Sequence, residues 1–291
     1  MSTLQCALVV SRFLHFASCM FVFGASAVSL WLREMADQPQ HRVVETVLKG
    51  AVILCVISAL LWFACVAAAM AGDWSRAADP DILETVLFNT EFGTVWGWRI
   101  VVSLLLAIAA FWGLPQRPLV LTVLAAALLA TVALTGHASM DIGDRGDLHR
   151  ATAAMHLLAG GYWIGGVAML PLALRGRDAE AALRILNRFS AFGIVAVVLV
   201  LLSGIGNAVF IIHGWPHLLA SVYGEILLAK VALAGVMVTL ACLNRWVLMP
   251  GLRQASSLAA LKSSIGVEIV VGALILLAAS VLGTVAPPAP M

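Results

Sequence analysis

The chain has 291 residues, of which 62% are hydrophobic and 11% charged, with a mean hydropathy of +1.03. Soluble domains are about 45–50% apolar and about 25% charged, so this composition excludes a soluble enzyme and predicts a polytopic protein whose first partner is the lipid bilayer. A net charge of +2 gives no reason to expect a nucleic-acid partner.

A helix needs about 20 largely apolar residues to cross a bilayer. Eight stretches qualify: residues 4–32, 46–71, 92–113, 118–137, 150–174, 188–213, 221–248 and 262–285. The first carries no lysine or arginine ahead of its apolar run, which is longer than the core of a signal peptide and lacks a small-residue cleavage site. It therefore reads as a retained helix. Open sheets are unworkable in lipid, and alternating patterns that would suggest a barrel are missing. The expected fold is all-α, a polytopic bundle of eight transmembrane helices forming a single domain over residues 1–291, with no repeat of fixed period. The five cysteines (Cys6, Cys19, Cys55, Cys65, Cys242) lie in or at the edges of apolar segments and form no CxxC, so they read as buried thiols rather than a disulfide framework.

Basic residues in the short connections orient the bundle. One set of connections holds Arg33, Arg42, Lys49, Arg117, Arg175, Arg177, Arg184, Arg188, Arg245, Arg253 and Lys262; the opposite set holds only Arg76, Arg145 and Arg150. The first set is expected in the cytoplasm, which puts both termini outside. The stretch RGRDAEAALRILNR reads as a basic amphipathic helix on the cytoplasmic surface. The outer connections are acidic, with Asp73, Asp79, Asp81 and Glu84 in one and Asp141, Asp144 and Asp147 in another, a pattern that concentrates cations.

Chemistry-bearing residues begin in the first predicted helix, where Arg12, His15 and Cys19 share a face at spacings of three and four. Imidazole with thiolate or thioether is the ligand set that selects Cu(I). The second predicted helix adds Cys65 and Met70, which read as core. Arg99 and Lys230 lie within membrane spans and require partners or a function; Glu225 is placed to pair with either.

The densest group runs from His137 to Gly166. His137 and His149 bound an acidic loop, Met140 and Met155 lie nearby, and His149, Ala153, His156, Gly160 and Trp163 form one helical stripe. Gly160, Gly161, Gly165 and Gly166 permit close approach of a helix or ligand. His213 and His217 flank a later outer turn. Ser203 and Asn207 supply polar groups to the interior. Glu268, deep in the last helix, reads as a proton acceptor or inner station, or as a partner of Arg245 or Lys262. There is no Walker loop, no GxGxxG before a helix and no HExxH, which argues against ATP-driven pumping.

Several short motifs occur in order along the chain: Arg12 with His15; WGWR at 96–99; GHA at 136–138; HLLAGGYWIGG at 156–166; RFS at 188–190; SGIGN at 203–207; YGEILLAK at 223–230; NR at 244–245; and Glu268. Together they resemble the copper-resistance D family (CopD/PcoD) of bacterial inner-membrane proteins. The resemblance implies eight helices, movement of copper across the inner membrane, and a separate periplasmic CopC-like copper-binding protein as partner.

On this reading copper enters through His137, His149 and His156 with Met140 and Met155, then passes to His15 and Cys19. Arg99, Asn207, Glu225 and Lys230 line or couple the path, and Glu268 and Asn244 lie near the inner exit. The alternative is a membrane cytochrome holding haem b through His15, His137 and His156, since facing histidines on neighbouring helices are also what bis-histidine ligation needs. Oligomeric state is open on the sequence alone.

Overall fold

A computed structural model describes residues 2–32, 40–112, 116–136, 141–212, 219, 221–252 and 254–287. Among these residues there are nine α-helices and no strands: α1 (Thr3–Trp31), α2 (Gln40–Ala71), α3 (Pro80–Asn89), α4 (Glu91–Phe111), α5 (Arg117–Val132), α6 (Gly143–Ala173), α7 (Ala179–Ile211), α8 (Val222–Leu243) and α9 (Ala255–Leu282). Seven of them are long and apolar enough to cross a membrane. The remaining predicted span, 118–137, is the shorter apolar helix α5. Its 16 residues reach about 24 Å, less than the roughly 30 Å of a hydrocarbon core.

Local chemistry explains the helix starts. Ser2 caps α1 in a capping box with Gln5. Thr90, Asp178 and Ser221 each accept a hydrogen bond from the amide three residues on, at the heads of α4, α7 and α8. The helix α3 was not foreseen, because ten residues are too few to register as a span. It starts where Asp79 accepts from the amides of Asp81 and Ile82 and Pro80 takes the first turn.

Two expectations need correction. The stretch read as a separate surface helix, RGRDAEAALRILNR, instead supplies the first turns of α7, which runs unbroken from Ala179. Likewise α6 starts at Gly143 rather than near residue 150, so much of the expected acidic loop is helical. In both cases a polar end continues the helix beyond the apolar window that the sequence marks.

The helices α1 and α6 lie side by side at the centre. A methyl group on Gly24 would collide with the backbone of Gly165 and Gly166, and one on Gly165 with the Met20 carbonyl, so the two backbones are in direct contact. One apolar cluster joins α1, α2, α4 and α5 around Trp62 and Trp96; another joins α1, α6, α7, α8 and α9 around Trp163 and Phe189. Burial is uneven. In the most apolar windows of α1 and α2, 44% and 50% of residues are buried, against 11% and 6% for α7 and for the segment beginning with α8.

Candidate metal centre

Four residues of spacing put His15 and Cys19 on one face of α1, and α2 brings Cys55 against them. The ligand atoms of His15, Cys19 and Cys55 all lie within 4.8 Å of one another, and all three residues are buried. Cys19 Sγ is 3.0 Å from Cys55 Sγ and 3.5 Å from His15 Nε2. On its other side the ring is held by α2: Nδ1 is 3.3 Å from the Cys55 carbonyl and 3.2 Å from Ser58 Oγ. A carbonyl only accepts, so Nδ1 carries the proton and donates. Nε2 is left with its lone pair directed towards the sulfurs. A carbonyl-anchored imidazole with the opposite nitrogen free is how metal-binding histidines are oriented.

The walls are aromatic and cationic. Trp62 meets His15 edge-on, with ring centroids 5.6 Å apart, and Trp96 packs edge-on to Trp62 at 4.9 Å. The fully buried Arg99 lies over Trp96 at 4.2 Å and over Trp62 at 5.3 Å. Its Nε donates to Thr131 Oγ1 (3.1 Å) and Nη2 to Thr135 Oγ1 (3.3 Å). Trp62 lies between, packed on His15 on one side and under Arg99 on the other. A fixed positive charge there offsets the negative charge that thiolate ligands bring into an apolar interior. Arg12, the third member of the predicted face, lies over Trp62 at 4.9 Å and donates from Nη1 to the Gly283 carbonyl at 3.0 Å, tying α1 to the end of α9.

The donor set is soft, buried and small. Comparison with known proteins places the chain in a family. Residues 1–147 match the family described as copper resistance protein D-like, N-terminal domain, and residues 183–282 match copper resistance protein D. The chain belongs to the copper resistance protein D family. It is 33% identical to inner membrane protein YebZ of Escherichia coli (strain K12) over 96% of its own length and 98% of that protein's. It is 29% identical to copper resistance protein D of Pseudomonas syringae pv. tomato, over 96% of both. With copper transport protein CutJ of Bacillus subtilis (strain 168) it shares 27% identity, over 79% of this chain and 44% of CutJ. No solved structure matches it. Membership makes this a multi-pass inner-membrane protein with a copper-related function.

In this copper resistance protein D family member the other expected ligands are spread over separate places. His149 is buried, its Nδ1 2.8 Å from Asp141 Oδ2 and its ring stacked on Phe210 at 4.7 Å. Arg145 Nε also reaches Asp141, at 3.5 Å. His156 is bound by α7, with Nδ1 3.1 Å from both the Val200 carbonyl and Ser203 Oγ. Thus His15 is joined to Cys19 but, among the described residues, neither His149 nor His156 is part of its cluster. Met155 is half-exposed and Met70 exposed, while Cys65 is buried outside the cluster. His137, Met140, His213 and His217 lie outside the described residues.

The charged groups depart from expectation as well. Glu225 is exposed in the first turn of α8, and among the described residues no ion pair joins it to Lys230 or Arg99. Arg99 takes threonines and indole faces instead. Glu268, 3% exposed, accepts from Asn244 Nδ2 rather than pairing with Arg245 or Lys262. Asn244 opens a π-helical turn, Asn244–Leu248, at the end of α8. Beside it is a cavity of about 200 Å³ lined by residues including Trp163, Phe189, Arg245 and Glu268. Asn207 Oδ1 is buried without a partner. The member of the cluster that sequence reasoning missed is Cys55; it is an isolated cysteine in an apolar run, and only the packing of α2 on α1 reveals it.

Proposed function

We propose that this protein carries copper inward across the bacterial inner membrane and holds it in transit as Cu(I) at His15, Cys19 and Cys55. The observation that carries the reading is the convergence of one imidazole and two thiols within 4.8 Å in a fully buried position. Nitrogen and soft sulfur together favour cuprous copper over hard cations.

The bias of basic residues towards one set of connections supports placing the start of α1 on the periplasmic side, and the cluster, on the middle turns of α1 and α2, then lies part-way across the bundle. His149 and Asp141, with His137, Met140 and Met155, belong to the entrance on that side. A CopC-like periplasmic protein would deliver copper there, against an acidic surface that includes Asp144 and Asp147. Beyond the cluster, Glu268 and Asn244 stand near the inner exit. The haem reading draws no support from the geometry: His15 Nε2 faces the Cys19 sulfur at 3.5 Å, where an axial ligand would need the face of a porphyrin.

The test is a titration of the purified protein with Cu(I) against a chromophoric competitor, with a visible spectrum of the same sample before and after dithionite. One tightly bound copper per chain, lost in Cys19→Ser and in His15→Ala, is the expected result. Absence of tight copper binding, or a Soret band that shifts on reduction, would overturn it.

A further inference from the structure

The environments of His15 and His156 repeat one another. In each, the ring sits on the first long helix of a group, its Nδ1 bound to the carbonyl of a residue on the next helix and to the hydroxyl of the serine three positions later: Cys55 and Ser58 in one case, Val200 and Ser203 in the other. In each unit a basic residue stands on a later helix, Arg99 in the first and Lys230 in the second.

The numbering makes the correspondence strict. The same 141 residues separate His15 from His156 and Gly24 from Gly165, the pair at the central helix crossing. A spacing of 145 relates Cys55 to Val200 and Ser58 to Ser203. A spacing of 131 relates the capping residues Thr90 and Ser221, the glycines they bind (Gly93 and Gly224), and the cations Arg99 and Lys230. Because the spacing changes from helix to helix with the loops, the sequence shows no fixed period. Packing around α1 and α6 follows the same rule. α1 packs on α2 and α5, as α6 packs on α7 and α9; across the centre α1 meets α9, and α6 meets α5. Such reciprocal contacts are those of a two-fold relation, here between units of like direction, the parallel kind of repeat found in transporters.

The copies differ at the ligands. Cys19 corresponds to Gly160, Cys55 to Val200 and Trp62 to Asn207. A side-chain carbon at Gly160 would have nothing within 4 Å, so the place that Cys19 fills next to His15 is open in the second copy. His156 Nδ1 is engaged by a carbonyl, which leaves Nε2 as an unprotonated donor. The partnerless Asn207 Oδ1 stands one turn along α7 from Ser203.

We infer that the bundle is a tandem duplication of one four-helix unit, and that His156 is a second copper station, the counterpart of His15 stripped of its thiolates. Its single protein ligand is Nε2, and a copper ion held there completes its coordination with a small ligand that it brings along. The assignment of copper rests on the function proposed above; the duplication does not. One station is therefore closed and tight, the other open and weak.

The experiment is a Cu(I) titration in detergent, with helicity and gel filtration as checks on folding. Wild type is expected to bind one tight equivalent and a second at least about 100-fold weaker, beyond the 10–100-fold effect of outer-shell groups. His156→Ala should lose only the weak one. The double variant Gly160→Cys/Val200→Cys, which restores the thiols of the first copy, should bind two tight equivalents. A folded double variant with one tight equivalent, or a weak equivalent that survives in His156→Ala, would overturn the proposal. If the double variant does not fold, Gly160→Cys alone decides, since the space for it exists: the weak equivalent should tighten, and an unchanged affinity would count as failure. A missing first equivalent in wild type would sink the His15 assignment, whereas the gain on adding thiols is read separately.

Discussion

Cys19 and Cys55 hold their sulfurs 3.0 Å apart across the α1–α2 interface while both remain free thiols. A disulfide requires about 2.05 Å, so these groups are neighbours without being bonded, each available as a ligand. The function proposed above makes both sulfurs ligands, which leads to a direct comparison. Cys55→Ser should weaken Cu(I) binding by at least about 100-fold, more than loss of an outer-shell partner costs. Cys65→Ser, altering a buried thiol outside the cluster, should leave it unchanged. Competition titration of the two variants side by side checks both halves of the statement.

Ser58 touches the ring and no ligand sulfur, so its effect should be indirect. In Ser58→Ala, His15 keeps the Cys55 carbonyl but loses one of its two anchors. A fall in copper affinity of about 10–100-fold, with stoichiometry unchanged, is expected for a group that orients a ligand. Loss of the bound copper altogether would mean that Ser58 does more than orient.

The crossing of α1 and α6 predicts an unusual response to a single methyl group. Glycine to alanine inside a helix normally gains about 0.5–1 kcal/mol. At Gly165 the new carbon would strike the Met20 carbonyl, and overpacking of this kind costs about 1–3 kcal/mol or more. Gly165→Ala should therefore lower the melting temperature. Gly50→Ala, with nothing within 4 Å of the added carbon, should not.

Glu268 separates binding from movement. Glu268→Gln keeps an oxygen to accept from Asn244 but removes the charge. If the carboxylate serves the inner exit, cells with this variant should accumulate less copper while the purified protein binds it as before. Equal accumulation would make Glu268 a structural residue.

Outside the membrane, Arg76 and the first amides of α3 hold the Asp79 carboxyl below the ordinary carboxylate value. A depressed folded value means that its contribution to capping α3 is present above the ordinary value, about 3.9, and is lost as pH falls through the lower folded one. Removing the partner in Arg76→Gln should move that loss upward in pH, measured as amide exchange across α3.

Membrane class and helix positions were legible because runs of some 20 apolar residues leave little freedom in lipid. Helix ends were less so: the polar starts of α6 and α7 look like loops to any hydropathy window, and α3 is too short to appear. His15 with Cys19 could be read from periodicity, since both lie on one helix. Cys55 could not, because its position against them depends on the rotation of α2. The expected gathering of His15 with His156 failed for a related reason. Each ring turns towards its own neighbouring helix, and spacing along one chain segment cannot tell which neighbour wins. Glu225 illustrates the limit for charges: opposite signs five residues apart on α8 suggest a pair with Lys230, yet helical rotation carries them to different faces.

The uneven burial of the helices has a consequence for the protein outside a membrane. Where α2 and α4 are closed by indole rings, α7 and α8 stand apart, with Val198, Leu202 and Ile205 on one and Val231 and Val236 on the other facing outward. Acyl chains must supply the missing wall of that half. Stripping annular lipid should therefore loosen the C-terminal helices first and leave the thiol-bearing half folded, so that the choice of detergent governs how much of the molecule survives purification.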